Sequence, residues 1–137
     1  MENDNNNLIG KWGGADFHII IMDNKKNDVH PDDWNILMLS PYKHSYHQCV
    51  GIDDKYLILQ FGYEKIRVTS GHFEAYLEPE FKPLEKIKFL NSKGQLEFGT
   101  IQGIHWHGND KKFYYDVEVN GKIKGRRYFD EDLEKDI

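Results

Sequence analysis

Two histidines separated by one residue, His105 and His107, are the first side chains in this sequence that could do chemistry. If the segment is a β-strand, residues two apart point to the same side, and both imidazoles could reach one metal ion. A zinc site needs three or four ligands, so further ligands would have to come from elsewhere in the chain. This spacing alone is a weak signal, and we predict neither a metal nor a cofactor.

A basic run with interleaved aromatic residues follows the histidines, and it includes Arg126, Arg127 and Tyr114. Cations and rings on a small barrel can bind single-stranded nucleic acid by neutralising phosphates and stacking on bases. Asp116 and Glu118 fall in the same segment, however, and cross-strand pairs of opposite charge would neutralise much of the patch. An SH3-like or OB-like nucleic-acid-binding domain that uses the face of residues 105–128 is therefore the alternative interpretation.

The same aromatic residues could form a cage for a methylated cation, as Tudor-like barrels do. Strand alternation places Tyr114 and Tyr115 on opposite faces, so only one of them could line such a cage. Core packing accounts for most of the rings, and we predict no cage.

Enzymatic arrangements are poorly supported. Cys49 lies two residues after His47, which would place both on one strand face, but neither an orienting group nor an oxyanion donor accompanies them. The stretch from His30 to Asp33, His-Pro-Asp-Asp, is explained by the start of a helix. No glycine-rich phosphate loop, serine elbow or zinc-protease motif is present, and we predict that the protein is not an enzyme.

The composition indicates a small globular protein. The chain has 137 residues, of which 39% are hydrophobic and 14% aromatic, and its formal net charge is -5. A modest acidic excess repels nucleic acid more than it recruits it. With a single cysteine, no signal peptide and no apolar run long enough for a membrane span, we expect a cytoplasmic protein with no membrane partner.

Hydrophobic patterning predicts one short helix among many strands. Proline in a first turn, acidic residues beside it and a stop at Ser40-Pro41 predict a helix over about 31–39. The β-branched run Asp16–Met22 predicts a strand, and residues 71–79 predict a short turn or 3₁₀ segment. Further strands are predicted at 46–52, 55–61, 64–69, 85–91, 96–107, 111–119 and 122–129.

The fold expected from this pattern is a mainly β chain with one short α-helix and a small SH3-like antiparallel barrel. Asn120-Gly121 between alternating strands is the strongest hairpin signal in the chain. We assign residues 1–7 to a disordered tail, 8–79 to a β-rich half with the helix, and 80–137 to the barrel. An echo between residues 72–78 and 128–134, at an offset of 56, raises the alternative of two SH3-like units in tandem.

The segment from Pro79 to Glu134 resembles an SH3-like barrel, with an opening strand, a long hairpin, an Asn-Gly hairpin and an acidic closing turn. Together with the upstream motifs Trp-Gly-Gly, His-Pro-Asp-Asp and Leu-Ser-Pro-Tyr, the chain is similar to a family of small bacterial proteins of unknown function. The resemblance covers about residues 13–134 and rests on fold motifs, so it implies no catalytic residues.

Recognition of another protein is the function that remains. Size and acidity are typical of immunity-type inhibitors, which occlude a toxin or effector and are drawn to basic targets by charge. We expect contacts from residues on the outside of the barrel and faster encounter through acidic residues: His105, His107, Tyr114, Arg126 and Arg127, with Asp32, Asp33, Asp53, Asp54 and the 130–136 tail.

Apolar alternation also predicts the core. In the first half the predicted core residues are Trp34, Leu37, Leu57, Leu59, Phe61, Ile66, Val68 and Phe73. In the second half they are Ile87, Phe89, Ile101, Trp106, Tyr115, Val117, Val119 and Leu133.

Overall fold

The computed structural model describes residues 4–137, and the chain divides into two compact units between Glu78 and Pro79. Each unit is built on an antiparallel sheet, which confirms the predicted mainly β class. Of the tail predicted for residues 1–7, residues 1–3 lie outside the described residues, and Asp4–Leu8 forms a 3₁₀ helix. No helix within residues 4–137 is long and apolar enough to cross a membrane.

The first unit contains a sheet of five strands, which are β1 (Trp12–Ala15), β2 (His47–Asp53), β3 (Tyr56–Phe61), β4 (Glu64–Thr69) and β5 (Phe73–Tyr76). Its helical segments are α1 (Phe17–Met22), α2 (Trp34–Leu39) and the 3₁₀ turns Lys26–Asp28, Pro31–Asp33 and Ser70–His72. The sheet order is β4-β3-β2-β1-β5, so the last strand returns to pair with the first.

The strand predicted for Asp16–Met22 is wrong, because Phe17–Met22 forms the helix α1. Phe17 and Ile20 are both fully buried, while Met22 is exposed. Residues three apart share one face of a helix but point to opposite faces of a strand, so helical geometry buries both side chains together. The β-branched composition favoured a strand, and tertiary burial outweighed it.

The helix predicted at 31–39 is confirmed, as the 3₁₀ turn Pro31–Asp33 runs directly into α2. At its start the backbone N–H of Asp32 donates to Nδ1 of His30, at 3.1 Å. Leu37 of this helix is fully buried, as predicted, whereas the neighbouring Met38 is exposed. The helix ends at Leu39, because Ser40 precedes a proline and is driven out of the helical region.

The second unit contains six strands, which are β6 (Lys86–Leu90), β7 (Leu96–His107), β8 (Lys112–Val119), β9 (Lys122–Ile123), β10 (Tyr128–Phe129) and β11 (Glu134–Lys135). A 3₁₀ turn covers Asp130–Asp132. Asn120 and Gly121 have φ values of 53° and 82°, as a two-residue hairpin turn requires, and they join β8 to β9 as predicted. The strand predicted over 122–129 is broken into β9 and β10.

The predicted barrel of this unit is not closed. The sheet order is β10-β8-β7-β6-β11, with β9 also paired to β8. β10 and β11 are the two ends of this order, and no pairing joins them in the described chain. Both strands have only two residues, and the 3₁₀ turn Asp130–Asp132 lies between them.

The two units follow the same strand plan. In each, a 3₁₀ turn precedes a last strand that pairs with the first strand. Before each first strand stands a residue with positive φ, Gly10 at 90° and Leu84 at 62°. The N–H of Gly10 donates to the carbonyl of Cys49 at 2.7 Å, and the N–H of Leu84 donates to the carbonyl of Ile101 at 2.8 Å.

This equivalence also corrects the spacing of the repeat. Gly14 pairs with Glu74 in the first unit, and Lys88 pairs with Glu134 in the second. The closing strands therefore correspond at an offset of 60, so the predicted offset of 56 is wrong. That offset aligned residue 73, which follows its 3₁₀ turn, with Phe129, which precedes the other turn.

Most of the predicted core is buried in both units. The exceptions are Trp34, Trp106 and Val119, which are half-buried. Large core side chains that the patterning missed include Phe17, Ile20, Ile104 and Phe113. The first two were missed because their segment was predicted as a strand.

Candidate functional site

The outer face of the second unit brings together four of the five residues of that unit predicted as direct contacts with a partner. His105 of β7 lies opposite Tyr114 of β8, which in turn lies opposite Phe129 of β10. On β7, Ile104 and Trp106 are directed to the core side, so His105 and His107 are directed outward. The resulting stacked face consists of His105, His107, Tyr114, Arg127 and Phe129.

Planar groups pack against each other on the stacked face. The rings of His105 and Tyr114 are stacked, with centroids 4.9 Å apart and planes 23° from parallel. The guanidinium carbon of Arg127 lies 4.6 Å from the centroid of the same Tyr114 ring, within cation–π range. The three groups are only partly covered, so they are ordered by contact with one another while their edges remain accessible.

A hydrogen bond fixes the orientation of His105. Its Nε2 lies 2.8 Å from Oδ2 of Asp116, and the imidazole N–H donates to the carboxylate. This bond outweighs partial burial and holds the pKa of the Asp116 carboxyl below its usual value. Gly103 leaves room for it, because a Cβ on that residue would stand 2.3 Å from the same carboxylate oxygen.

His107 has a different partner from His105. Its Nδ1 accepts a hydrogen bond from the backbone N–H of Asp110 at 3.2 Å, and the Asp110 carboxylate lies 3.6 Å away. The two histidines are thus turned toward separate acidic residues. Within residues 4–137, no group of three His, Cys, Asp or Glu side chains could hold a metal ion.

Residues 11–134 match the model of a family of unknown function, DUF6960. The chain belongs to this family. No curated protein and no solved structure matches it. The function of this DUF6960 protein is therefore inferred from its own residues.

The basic run of this DUF6960 protein is partly engaged with carboxylates. Lys112 pairs with Glu131 at 3.0 Å, and Lys124 pairs with Glu97 at 3.5 Å. The hydrogen bond to Glu131 raises the pKa of the Lys112 ammonium group. These contacts leave less positive charge on the outer face than the sequence alone indicated.

Arg126 does not join its neighbour Arg127 over Tyr114. Its guanidinium lies 4.7 Å from the centroid of the Tyr128 ring and 3.4 Å from the carboxylate of Asp132. The two consecutive arginines thus serve different contacts. Arg127 is part of the stacked face, and Arg126 is not.

Four of the acidic residues predicted to aid encounter lie in the first unit, whereas the 130–136 tail lies in the second. Arg67 donates to both carboxylate oxygens of Asp33, at 2.8 and 3.0 Å, and to Asp53 at 3.0 Å. Burial raises the pKa of the Asp33 carboxyl, but its bonds to Arg67 outweigh that effect and hold the pKa below the usual value. With a side chain only 7% exposed, Asp33 anchors the helix to β4 and is closed to a partner. Asp32 and Asp54 are exposed.

The pair formed by His47 and Cys49 is buried in the core of the first unit. Both side chains are completely covered, and burial raises the pKa of the Cys49 thiol. Burial also lowers the pKa of His47 to about 4, although the carbonyl of Ser45 accepts a hydrogen bond from Nδ1 at 2.9 Å. Nε2 of His47 has no partner among the residues that the structure describes. A nucleophile needs a lowered pKa and access to substrate, and this thiol has neither.

The sequence reasoning missed three residues that complete the outer face: Gly103, Asp116 and Phe129. The sequence predicts for Asp116 only that it neutralises basic neighbours, whereas in the structure it also orients His105. A shift in the β7–β8 pairing between Ile101 and Gly103 sets that alignment. Period-two alternation could not reveal the shift, because a β-bulge changes the register without changing the composition.

Proposed function

We propose that this protein is a non-catalytic protein-binding module whose contact surface is the stacked face. Its mode of action is that of an immunity-type inhibitor, which occludes a toxin or effector in the cytoplasm. The observation that carries the proposal is the outward-facing stack of His105, Tyr114 and Arg127, held in place by Asp116.

Tyrosine and arginine are enriched among the residues that dominate protein–protein binding energy. Binding normally costs the ordering of such side chains, by about 0.5–1.5 kcal/mol for each one immobilised. Here Tyr114 lies between packed neighbours, and Arg127 rests on its ring. Much of this ordering is complete before any partner arrives, which favours tight binding.

The distribution of charge along the chain favours a partner that is positively charged. Residues 1–78 carry 12 acidic and 7 basic side chains, whereas residues 79–137 carry 11 of each. The acidic excess of the chain therefore lies entirely in the first unit. Exposed carboxylates such as Asp32 and Asp54 add to a field that speeds association with a positively charged protein and more weakly sets its affinity.

Nucleic-acid binding is the competing function, and the ion pairs of the basic run weaken it. Lys112 and Lys124 are paired with acidic side chains, and so is Arg126. Binding to single strands depends on unpaired cations that replace condensed counterions on phosphates. The stacked rings are the feature that favours this alternative, since bases stack on exposed aromatic side chains.

The test is capture of a partner from the native host by the full chain, compared with Tyr114→Ala and Arg127→Ala. Tyr63→Ala is the matched control, because Tyr63 is 94% exposed in the first unit. We expect the two face variants to lose the captured protein and the control to retain it. Co-expression with a neighbouring toxin-like gene should show the same pattern in rescue of growth.

A second measurement separates protein binding from nucleic-acid binding. Fluorescence anisotropy with a labelled single-stranded oligonucleotide at low salt should show no binding. Saturable binding that weakens steeply with salt and is lost in Arg127→Ala would replace the proposed function with the nucleic-acid alternative. Retention of the captured protein by both face variants would remove the stacked face as the contact surface.

A further inference from the structure

A groove of about 420 Å³ opens in the second unit beside the strands that fail to close its sheet. Its apolar lining comes from the β6–β7 hairpin, through Phe89, Leu90 and Leu96. Its acidic lining comes from the 3₁₀ turn, through Glu131 and Asp132, and from β11, through Glu134. None of the residues of the stacked face lines this groove.

Two large aliphatic side chains are exposed in the groove. Leu90 and Leu96 lie opposite each other in the β6–β7 pair and are 62% and 54% exposed. Beside them Phe89 is only 4% exposed, so the groove reaches the edge of the core. Contiguous apolar surface with a polar rim is typical of a binding site, whereas single exposed apolar residues are common.

The groove also contains an unused strand edge. β11 pairs with β6 only at Ile87 and Lys88, two residues short of the end of β6 at Leu90. Within the described chain, no strand pairs with this last part of β6 on that side. An extended peptide can add to such an edge through main-chain hydrogen bonds, while alternate side chains enter adjoining pockets.

The charge of the lining selects the kind of peptide. Three carboxylates line the groove, against the two cations of Lys88 and Arg126. Arg126 is already paired with Asp132 at 3.4 Å, and Glu131 is paired with Lys112 at 3.0 Å, which leaves Glu134 as the carboxylate of the lining outside these two ion pairs. Residues 130–137, which form the acidic wall and the end of the chain, carry five acidic side chains and one basic side chain. The complementary ligand is therefore cationic.

We propose that this groove binds an extended segment of a partner protein in which an aliphatic or aromatic side chain lies between lysines or arginines. The apolar side chain packs between Leu90 and Leu96, and a flanking cation meets Glu134 on β11. This site is separate from the stacked face, and the proposal does not rest on the function proposed for that face.

The probe is a short end-capped peptide that alternates lysine with leucine, titrated into the isotope-labelled full chain. Two-dimensional NMR then reports which backbone amides shift. We expect saturable shifts at residues 88–90, 96 and 131–134. A lysine–serine peptide and a glutamate–leucine peptide should each bind about tenfold more weakly or not at all, because each lacks one half of the recognition.

Leu96→Ser and Phe98→Ser form a matched pair for the apolar half of the site. Both residues lie on β7 and are 54% exposed, but only Leu96 lines the groove. Leu96→Ser should weaken the lysine–leucine peptide about tenfold, since it removes most of one buried aliphatic contact. Phe98→Ser should leave binding unchanged. Equal losses in the two variants would show that the peptide binds the outer apolar surface rather than the groove.

Glu134→Gln and Asp136→Asn form the pair for charge, because Asp136 is exposed at the same end of the chain but does not line the groove. We expect the first to weaken the peptide several-fold and the second to have little effect. Tyr114→Ala should leave peptide binding intact, which separates this site from the stacked face. Shifts of the same residues that grow with protein concentration, without peptide, would assign the groove to a second copy and overturn the proposal.

Discussion

The two units share one strand plan but differ in the chain segment that connects their first two strands. In the first unit residues 16–46 separate β1 from β2, and they include the helices α1 and α2. In the second unit the five residues 91–95 are enough to turn β6 into β7. The first sheet is therefore covered by helical side chains such as Phe17 and Leu37, whereas the second is packed largely by residues of its own strands.

Polar side chains follow the same division. In the first unit they bind the added segments to the sheet, since His72 lies 2.8 Å from the carboxylate of Asp16 and 2.9 Å from that of Asp28. In the second unit the ion pairs lie mostly on the outer face, as between Lys112 and Glu131. One strand plan thus supports a unit that stabilises its own insertions and a unit that presents side chains to a partner.

The largest effect is expected where the first strands of the two units differ. A Cβ at Gly13 would stand 2.1 Å from the carbonyl oxygen of Glu74, whereas the equivalent residue in the second unit, Ile87, is a buried isoleucine. Gly13→Ala should cost about 3 kcal/mol of unfolding free energy or more, because β1 and β5 must separate. Gly14→Ala, with nothing within 4 Å of its Cβ, is the control. Urea unfolding measures both, and equal midpoints would contradict this comparison.

A core substitution in the second unit is expected to have the next largest effect. Val117 is fully buried opposite Ile101, at the β-bulge. Val117→Ala should cost about 1–3 kcal/mol, through lost burial and the cavity that remains. Thermal or chemical unfolding of this variant should be compared with that of Glu118→Ala, the next residue on the strand. A Val117→Ala midpoint equal to wild type would mean that the core face of β8 is reversed.

Replacing one carboxylate by its amide in each unit compares the stability contributed by a buried ion pair in the first unit with that contributed by an exposed ion pair in the second. Asp33→Asn should cost about 1.5 kcal/mol, because a buried carboxylate loses charge-assisted hydrogen bonds to Arg67. Glu131→Gln should cause no measurable change, since its pair with Lys112 is open to solvent. Differential scanning calorimetry at neutral pH would check both variants. A larger loss of stability for Glu131→Gln than for Asp33→Asn would contradict the conclusion that ion pairs stabilise mainly the first unit.

The smallest effect is a pH dependence confined to the first unit. Because burial lowers the pKa of His47 to about 4, the unfolded chain binds more protons than the folded one between about pH 6.5 and pH 4. The stabilisation is complete above that window and should fall by about 1 kcal/mol between pH 7 and pH 5.5. His47→Phe should remove this slope in urea titrations. The same slope in the variant would show that other groups produce it.

The sequence predicted the strands best where apolar residues recur and turn-forming residues mark both ends. The predicted bounds were accurate for Glu64–Thr69 and Leu96–His107, although a β-bulge interrupts the alternation within the second of these strands. It failed at Phe17–Met22, because β-branched residues are equally compatible with a short buried helix. It also failed to predict that the barrel stays open, since strand patterning carries no information about whether two short end strands meet.

The stacked face could be predicted in part. Alternation placed His105, His107 and Tyr114 outward, and the structure brings them together. The separation of Arg126 from Arg127 could not be predicted, because it depends on whether each guanidinium lies over Tyr128 or over Tyr114. The role of Asp33 was missed for a similar reason, since its partner Arg67 lies 34 residues away in the chain.

The β-bulge in β7 limits where the chain can tolerate insertions and deletions. Before the bulge the even-numbered residues Leu96 and Phe98 point outward, and after it the odd-numbered residues His105 and His107 do so. Loss or gain of a single residue within 101–103 would reverse every later side chain of the strand and direct the histidines into the core. Within the family, insertions and deletions should therefore accumulate in the turns at 91–95 and 108–111, and an alignment of its members should show a segment of constant length around Gln102.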